Sequence, residues 1–310
     1  MAPAFLRHTL PIRCLAYLFL AGACGALAAA QQTPKSHASP VPRQIILPPK
    51  LVAGAQATLA VLDFQGRLMP NIAVELSGDQ KVTTDVTGRA LFKAPGEQGS
   101  FSARISGQTI SASTAVVASE DSTLHAVQGE QPAGGTVVSY PPFLAIRDRF
   151  ILEGAGFRGA ADSNRVYLNG EPCLVAASSP VSLVVLPGPR VPVGEVQLRV
   201  AVGGIDAGSF SVSAVILEFS GPAEAVVAGS AGKLVLHVRG TTAPLPVEIR
   251  NGSPGVIQLT EGNVQRIKTS GGDPNTAQVE VNFVTGGNYS VFARLLSRAA
   301  NAGRTQSPVR

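Results

Sequence analysis

The chain has 310 residues, of which 45% are hydrophobic and only 15% are charged, and it contains 33 glycines and 23 prolines. This length exceeds that of one ordinary domain, and the abundance of turn-forming residues excludes a protein of long helices. We therefore predict an all-β chain with two or three domains, of which three fit best.

Residues 1–30 have the pattern of a secretory signal peptide. Arg7 and Arg13 precede a short apolar run at residues 15–27, and three alanines end the segment. A retained membrane anchor is one alternative, but the run is shorter than the roughly 20 residues that a spanning helix needs. Lipidation at Cys24, which follows Leu-Ala-Gly-Ala, is a second alternative. We expect export to the periplasm, the cell surface or the medium, with no membrane span in the mature chain.

Removal of this segment would change the counts of charge and of cysteine. It takes away two arginines and no acidic residue, so the formal charge falls from +5 to +3. That charge is too mild to indicate nucleic acid or an anionic membrane as a partner. Cys173 remains as the only cysteine, which predicts domains without an internal disulfide. We expect this thiol to be buried, with pairing between chains as the alternative.

Residues 31–44 are rich in Pro, Ser and Gln and predict a disordered linker. From residue 45 to 117, short β-rich runs alternate with turn residues, as is typical of a β-sandwich. Asp63 and Asp85 each precede a glycine by three positions, so we expect them to cap turns rather than to bind metal. The rhythm D-x-x-G, V-x-L, T-T-D-x-x-G-x-A across this segment resembles bacterial Ig-like and carboxypeptidase-regulatory-like domains.

Residues 118–136 are acidic and aperiodic and predict a second linker. The following segment, residues 137–215, carries G-A-G-F at 154–157, V-Y-L-N-G at 166–170 and V-Q-L-R-V at 196–200. This order of motifs resembles the IPT/TIG family of Ig-like domains over nearly its whole length. The resemblance implies a sandwich with a tight bend at the first motif and a hairpin turn at the second.

Gly154, Gly156 and Gly159 also match the dinucleotide-binding pattern G-x-G-x-x-G. A dinucleotide site needs a helix directly after the glycines, because the helix N-terminus holds the pyrophosphate. Here turn residues and then a strand-like run follow. We therefore expect a loop of the sandwich at this position and no cofactor.

Residues 216–297 predict a third Ig-like sandwich, without resemblance to a named family. Leu234, Leu236 and Val238 recur at every second position, which indicates a strand with one buried and one solvated face. Residues 298–310 are polar and basic and predict a flexible tail.

Catalytic and metal-binding side chains are scarce in the sequence. Beyond the first thirty residues the histidines are His37 and His125, both in predicted linkers, and His237, in a predicted strand. One histidine in a folded segment supports neither a catalytic triad nor a histidine metal cluster. We therefore predict no catalytic, metal-binding or cofactor-binding residue, and no enzyme.

A candidate interaction site lies at the start of the second sandwich. Tyr140, Pro141, Pro142 and Phe143 form a short apolar cluster, for which an exposed patch that contacts a partner is one interpretation. The alternative, which we favour, is that these residues pack between the linker and the second sandwich. The chain has no Trp, which weighs against sugar binding through several stacked rings.

These observations predict an exported, non-enzymatic protein of Ig-like modules. It would bind an unidentified protein or cell-surface polymer, or act as a structural spacer, alone or within a larger surface assembly. The alternative is an accessory protein or weak hydrolase with a carboxylate site at a cleft between modules.

Overall fold

The computed structural model describes residues 42–63, 65–118, 134–222, 227–296 and 300–301. In these ranges the chain is built from β-strands, and the helical structure is one 3-10 turn at Ala161–Ser163. No helix in this part of the chain is long and apolar enough to cross a membrane. The predicted fold class, an all-β chain of sandwiches, is confirmed.

Several predictions concern residues outside these ranges. They are the signal peptide with Cys24, the linker segments 31–41 and 119–133 with His37 and His125, and residues 298–299 and 302–310 of the predicted tail. Residues 300–301 of that tail form a strand, so the prediction of a flexible tail is wrong there.

The first β-rich segment folds into two sheets around one core. Its strands are β1 (Pro42–Ile46), β2 (Lys50–Val52), β3 (Gln56–Asp63), β4 (Ala73–Leu76), β5 (Gln80–Thr83), β6 (Arg89–Lys93), β7 (Gly99–Ile105) and β8 (Ser111–Val117). One sheet has the order β2-β8-β7-β4-β5, and β1, β3 and β6 pair in the other. Phe92 and Phe101 stack across the core with ring centroids 5.2 Å apart.

The predicted disordered linker at residues 31–44 is wrong at its end. Pro42 to Gln44 belong to β1, in which Ile45 pairs with Val61 of β3. A proline is tolerated there because β1 is an edge strand, so the missing N–H interrupts no ladder. Ile45 and Ile46 face opposite sides of the sheet and are both buried, which favours a strand over a solvated linker.

The second segment folds into two further sheets. Its strands are β9 (Thr136–Tyr140), β10 (Phe143–Ala145), β11 (Phe150–Ala155), β12 (Asn164–Leu168), β13 (Glu171–Ser179), β14 (Ser182–Leu186), β15 (Gly194–Val202) and β16 (Ile205–Ser220). One sheet joins β9, β11, β14 and β13, and the other joins β10, β16, β15, β12 and β13. β13 takes part in both, because its first residues pair with β12 and the later ones with β14. Asn169 and Gly170 turn between β12 and β13 with φ of 49° and 79°, which confirms the predicted hairpin.

The third segment shares β16 with the second. Its own strands are β17 (Ala231–Arg239), β18 (Pro246–Asn251), β19 (Ile257–Leu259), β20 (Val264–Lys268), β21 (Asn275–Phe283), β22 (Val291–Leu295) and β23 (Ala300–Asn301). β19, β21, β17 and β16 form one sheet and β20, β18 and β22 form another, whereas β23 pairs with β9. β16 pairs with β15 as far as Ala214 and with β17 from Ile216 onward. The second and third sandwiches are therefore joined by one unbroken strand.

The first and second sandwiches meet through buried side chains. Ile46, Ala60 and Leu62 pack against Ala176, Ala177 and Val184, which leaves β3 buried on both faces. At the edge of this layer, the Thr58 hydroxyl donates to the carbonyl of Gly159 at 2.6 Å.

The Arg89 guanidinium also crosses this junction. It donates to the carbonyl of Val175 at 3.1 Å and to Oδ1 of Asp162 at 2.6 Å. The Arg89 side chain is only 8% exposed. Because its contacts cross from one sandwich to the other, they hold the two together at a fixed register.

Candidate functional site

A cleft of about 250 Å³ opens where the second sandwich meets the third. Its walls come from the β9–β11 segment and from the end of β22. The polar groups of the walls are Ser139, Asp148, Arg149, Glu153 and Arg294. The cleft thus combines cationic and anionic side chains with an apolar wall that includes Phe143 and Leu295.

Backbone pairing fixes the charged part of the cleft. β10 pairs in parallel with β16, which anchors the chain just before the turn that carries Asp148 and Arg149. Within that turn the Asp148 N–H donates to the carbonyl of Ala145 at 3.1 Å. The Arg149 N–H in turn donates to Oδ1 of Asp148 at 2.7 Å. On the opposite wall, Nε of Arg294 lies 3.6 Å from Oδ2 of Asp148. The Asp148 carboxylate therefore holds the backbone of Arg149 and lies beside the guanidinium of Arg294.

Arg149 carries a charge that the structure only partly compensates. Burial lowers the pKa of its guanidinium, the charge of Asp148 raises it, and the charge of Arg294 lowers it. A guanidinium stays charged in a protein nevertheless. Nη1 of Arg149 donates at 3.1 Å to Oε1 of Gln44, which is a neutral acceptor. The Arg149 guanidinium forms no direct ion pair with a carboxylate of the described residues. The cleft therefore holds a half-buried cation with donors left for an anionic ligand.

The other carboxylate of the cleft is also paired. Glu153 lies on β11, and its Oε1 is 3.5 Å from Nζ of Lys50, which belongs to the first sandwich. Both side chains are substantially exposed, so this ion pair contributes little to stability.

The apolar cluster predicted from the sequence lies at this same junction. Pro141 is buried, and Tyr140, Pro142 and Phe143 are half-buried, so the four do not form an exposed patch. The Tyr140 ring packs on that of Phe210 with centroids 4.4 Å apart, and Phe143 packs against the core of the third sandwich. Pro141 and Phe143 also line the cleft, where they provide part of its apolar wall.

The two aspartates singled out in the first segment cap turns, as predicted. Oδ1 of Asp63 accepts the N–H groups of Gln65 and Arg67, and Oδ1 of Asp85 accepts that of Thr87. Burial works to raise the pKa of Asp63, but the hydrogen bonds from Arg67 and Gln65 together hold it below its ordinary value. Within the described ranges, no group of three or more His, Cys, Asp or Glu is arranged to hold a metal ion.

The three glycines of the G-x-G-x-x-G pattern each have a structural role. Gly154 lies in β11, where a Cβ would overlap the carbonyl oxygen of Thr136 in β9. Gly156 adopts a φ of 75°, and a Cβ on Gly159 would overlap the carbonyl oxygen of Gln56 in the first sandwich. The single 3-10 turn and the strand β12 follow, so this segment lacks the helix that a pyrophosphate site requires.

His237 and Cys173 occupy ordinary strand positions. Nε2 of His237 lies 2.8 Å from Oγ of Ser220, its neighbour on β16. Cys173 is half-buried rather than fully buried, and burial raises the pKa of its thiol to about 11. The thiol is therefore protonated at neutral pH and is a poor nucleophile.

The sequence did not predict the arginines of the cleft. Arg149 and Arg294 are separated by 145 positions, so no local motif links them. The Arg-Asp-Arg run at residues 147–149 is the one local feature that indicates a charged turn.

Comparison with known proteins supports the fold class alone. No protein-family model and no curated protein matches the chain. The IPT/TIG and carboxypeptidase-regulatory-like resemblances therefore stay predictions. The chain is an all-β protein of sandwich modules.

Three solved structures illustrate the similarity. The surface layer protein SbsC, domains 1–6, is 12% identical over 84% of this chain, with a TM-score of 0.20. SGBP-B of the Bacteroides ovatus mixed-linkage glucan utilization locus, in complex with a mixed-linkage heptasaccharide, is 11% identical over 83%, with a TM-score of 0.24. The plexin A4 extracellular region is 9% identical over 84%, with a TM-score of 0.32.

The chain spans 40% of the SbsC structure, 75% of the SGBP-B structure and 33% of the plexin structure. None of these similarities is close enough to transfer a ligand or a partner to this chain.

Proposed function

We propose that this chain is an exported, non-enzymatic protein of Ig-like modules that binds a protein or a polymer of the cell envelope. The observation that carries the proposal is the cleft at the second junction, which Arg149 and Arg294 both line and where Arg149 is half-buried without an ion pair among the described residues. Partial burial of a cation without a direct ion pair costs some stability, and such a cost is typical of binding sites.

The carboxylates of the cleft favour recognition over hydrolysis. Asp148 accepts the Arg149 N–H and lies beside Arg294, and Glu153 lies beside Lys50. Each carboxylate therefore has a partner of its own, which it orients, and the two are not directed at a common reacting point.

Export is supported by the leader pattern of residues 1–30. The unbroken strand β16 and the Arg89 contacts make the sandwiches suitable as a spacer as well, because neighbouring modules are joined by more than a flexible linker.

Retention of envelope material tests the binding function. The mature chain, residues 31–310, is immobilised and exposed to an envelope fraction of the producing cells. We expect a specific protein or polymer to be retained, and Arg149→Gln to weaken its retention. Arg165→Gln, which changes an exposed arginine of β12, is the matched control and should retain it fully. No retention at micromolar protein would contradict the proposal.

Activity assays test the alternative of a weak hydrolase. The purified chain is incubated with panels of glycan and peptide substrates, and we expect no turnover. Turnover that disappears in Asp148→Asn or Glu153→Gln would replace the binding function by catalysis at the cleft.

A further inference from the structure

The outward face of the sheet β20-β18-β22 carries a concentration of positive charge. We call this surface the basic face and define it by five side chains around Glu248: Arg250, Arg266, Lys268, Phe292 and Arg294. In each of these strands the solvent-facing residues alternate with residues of the third core, so all of them project from the same side of the sheet.

The strand register places the arginines around Glu248. Glu248 of β18 pairs with Arg266 of β20 on one side and with Arg294 of β22 on the other. Its Oε1 accepts a hydrogen bond from Arg250 at 3.1 Å, and its Oε2 accepts one from Arg266 at 3.4 Å. Directly opposite residues of neighbouring strands have their Cβ atoms about 5 Å apart, so Arg266 and Arg294 flank Glu248, and Nε of Arg294 lies 3.6 Å from Oδ2 of Asp148 in the cleft.

Glu248 organises this cluster. It is only 8% exposed, beneath three arginines whose side chains are all more than half exposed. The hydrogen bond from Arg250 holds the pKa of Glu248 below its ordinary value, against the opposing effect of burial, and Arg266 adds to the lowering. Each guanidinium has five N–H donors, so a contact with Glu248 orients the group while other donors remain available to a ligand.

The charges of the basic face do not balance. The three strands contain four cationic side chains and one carboxylate. The cleft adjoins this face through Arg294, and adding Asp148, Glu153 and Arg149 gives five cations against three carboxylates, of which Glu153 lies beside Lys50. The surplus of three positive charges on the basic face itself is complementary to an anionic ligand.

Phe292 adds a flat apolar element to the same face. Its side chain is 59% exposed, and it lies directly opposite Arg250 in the register. A Cβ on Gly252 would lie only 2.6 Å from the Phe292 ring. The absence of a side chain at Gly252 therefore lets the ring lie against the backbone there. An exposed aromatic ring next to guanidinium groups suits a ligand that has both an apolar face and acidic groups.

From this combination we infer that the basic face and the adjoining cleft bind a polysaccharide that carries carboxylate groups. The planar guanidinium fork matches a carboxylate, and the Phe292 ring matches the C–H face of a pyranose. The inference rests on the proposed binding function and names the class of its ligand.

Size and charge density favour this ligand over a nucleic acid. Strands of five residues and two strand spacings give a surface of about 17 by 10 Å. A surplus of three charges on that area suits a polymer with one carboxylate per one or a few sugars, whereas nucleic-acid binding commonly uses about six or more phosphate contacts. The single exposed ring also differs from the series of stacking rings that single strands require.

The test is direct binding to the full mature chain. Fluorescently labelled oligomers of sodium polygalacturonate are titrated at low salt, and binding is followed by fluorescence anisotropy. We expect saturable binding that weakens as salt rises, because exposed ion contacts are screened. The double variant Arg266→Gln, Arg294→Gln should lose at least about tenfold in affinity.

The matched control is the double variant Arg165→Gln, Arg199→Gln. It removes two exposed strand arginines of the second sandwich and should bind like the unchanged chain. Phe292→Ala should weaken binding of polygalacturonate about fivefold and leave binding of poly-glutamate unchanged, because only the sugar has a face for the ring. Melting temperatures of all variants establish that each is folded.

Four results would overturn the inference. The first is the absence of saturable binding, and the second is an equal loss of affinity in the control double variant. The third is that poly-glutamate binds as tightly as polygalacturonate and that Phe292→Ala has no effect on either. The fourth is that duplex DNA or phosphatidylserine vesicles bind more tightly than polygalacturonate. If polygalacturonate does not bind while envelope material is still retained on the immobilised chain, this inference alone fails. If neither occurs, the proposed function fails with it.

Discussion

The two junctions between neighbouring sandwiches are built in opposite ways. At the first junction, Thr58 and Arg89 are buried and donate hydrogen bonds to the carbonyls of Gly159 and Val175 in the facing sandwich. At the second junction, the backbone of β16 makes the connection, and beside it the side chains leave an open cleft. In that cleft Arg149 is half-buried and has a neutral acceptor, Gln44, in place of an ion pair.

This difference shows what each junction contributes. Where side chains hold two sandwiches together, their polar groups are directed at acceptors of the facing sandwich and lie buried between the two. Where a continuous strand makes the connection, the neighbouring side chains are free from that task and can retain unpaired charge. We therefore propose binding at the second junction and a purely structural role for the first.

The largest effect on stability is expected for Gly159→Ala at the first junction. The added Cβ would overlap the carbonyl oxygen of Gln56, a backbone atom that can move only if the two sandwiches separate. We expect a loss of about 3 kcal/mol in the free energy of unfolding, measured by chemical denaturation. Gly96→Ala is the control, because nothing lies within 4 Å of its Cβ position. An equal, small effect of both changes would contradict the tight contact.

A somewhat smaller loss is expected for Arg89→Met. This change leaves the carbonyl of Val175 without its donor inside the junction, so we expect a loss of about 2 kcal/mol. Arg104→Met removes an exposed arginine that contacts Glu75 at 2.6 Å and should cost below about 1 kcal/mol. Denaturation of both variants measures the difference, and equal losses would show that Arg89 does not hold the junction together.

At the second junction, Arg149→Met is not expected to lower the free energy of unfolding as the changes at the first junction do. Because the replaced cation is half-buried without a direct ion pair, we expect stability to stay constant or to rise by about 1 kcal/mol, while retention of envelope material falls. Denaturation and the retention assay on the same preparation measure both quantities. A loss as large as that of Arg89→Met would assign Arg149 a structural role.

The smallest effect concerns acid pH and Asp63. Its pKa is lower in the folded chain than its ordinary value of 3.8, so the charged form stabilises the fold above that pH. The advantage of the unchanged chain over Asp63→Asn should therefore be constant above about pH 5 and shrink as the pH falls below 4. Melting temperatures of both proteins as a function of pH measure it, and a constant difference down to pH 2 would contradict the turn cap.

The parts of this fold that depend on local sequence were predictable. The alternation of Leu234, Leu236 and Val238 gave a strand, and Asn169-Gly170 gave a hairpin turn, because each pattern is contained within a few residues. The turn caps at Asp63 and Asp85 follow from the same kind of local chemistry.

The parts that depend on how the chain folds back were not predictable. Arg149 and Arg294 meet only because β10 pairs with β16 and β22 borders the same cleft. Tyr140 and Phe143, which appear as an apolar patch in the sequence, are half-buried because Phe210 and the third core cover them. The basic face likewise needs the register of three strands, which periodicity alone does not give.

Hydrogen exchange of the mature chain, with and without polygalacturonate, tests most directly whether binding belongs to the second junction and the adjoining face. We predict slower exchange in β18, β20 and β22 and in the turn that carries Asp148 and Arg149, with no change in β3 to β8. Protection of the first sandwich or of its junction with the second, with none in the third, would contradict that assignment.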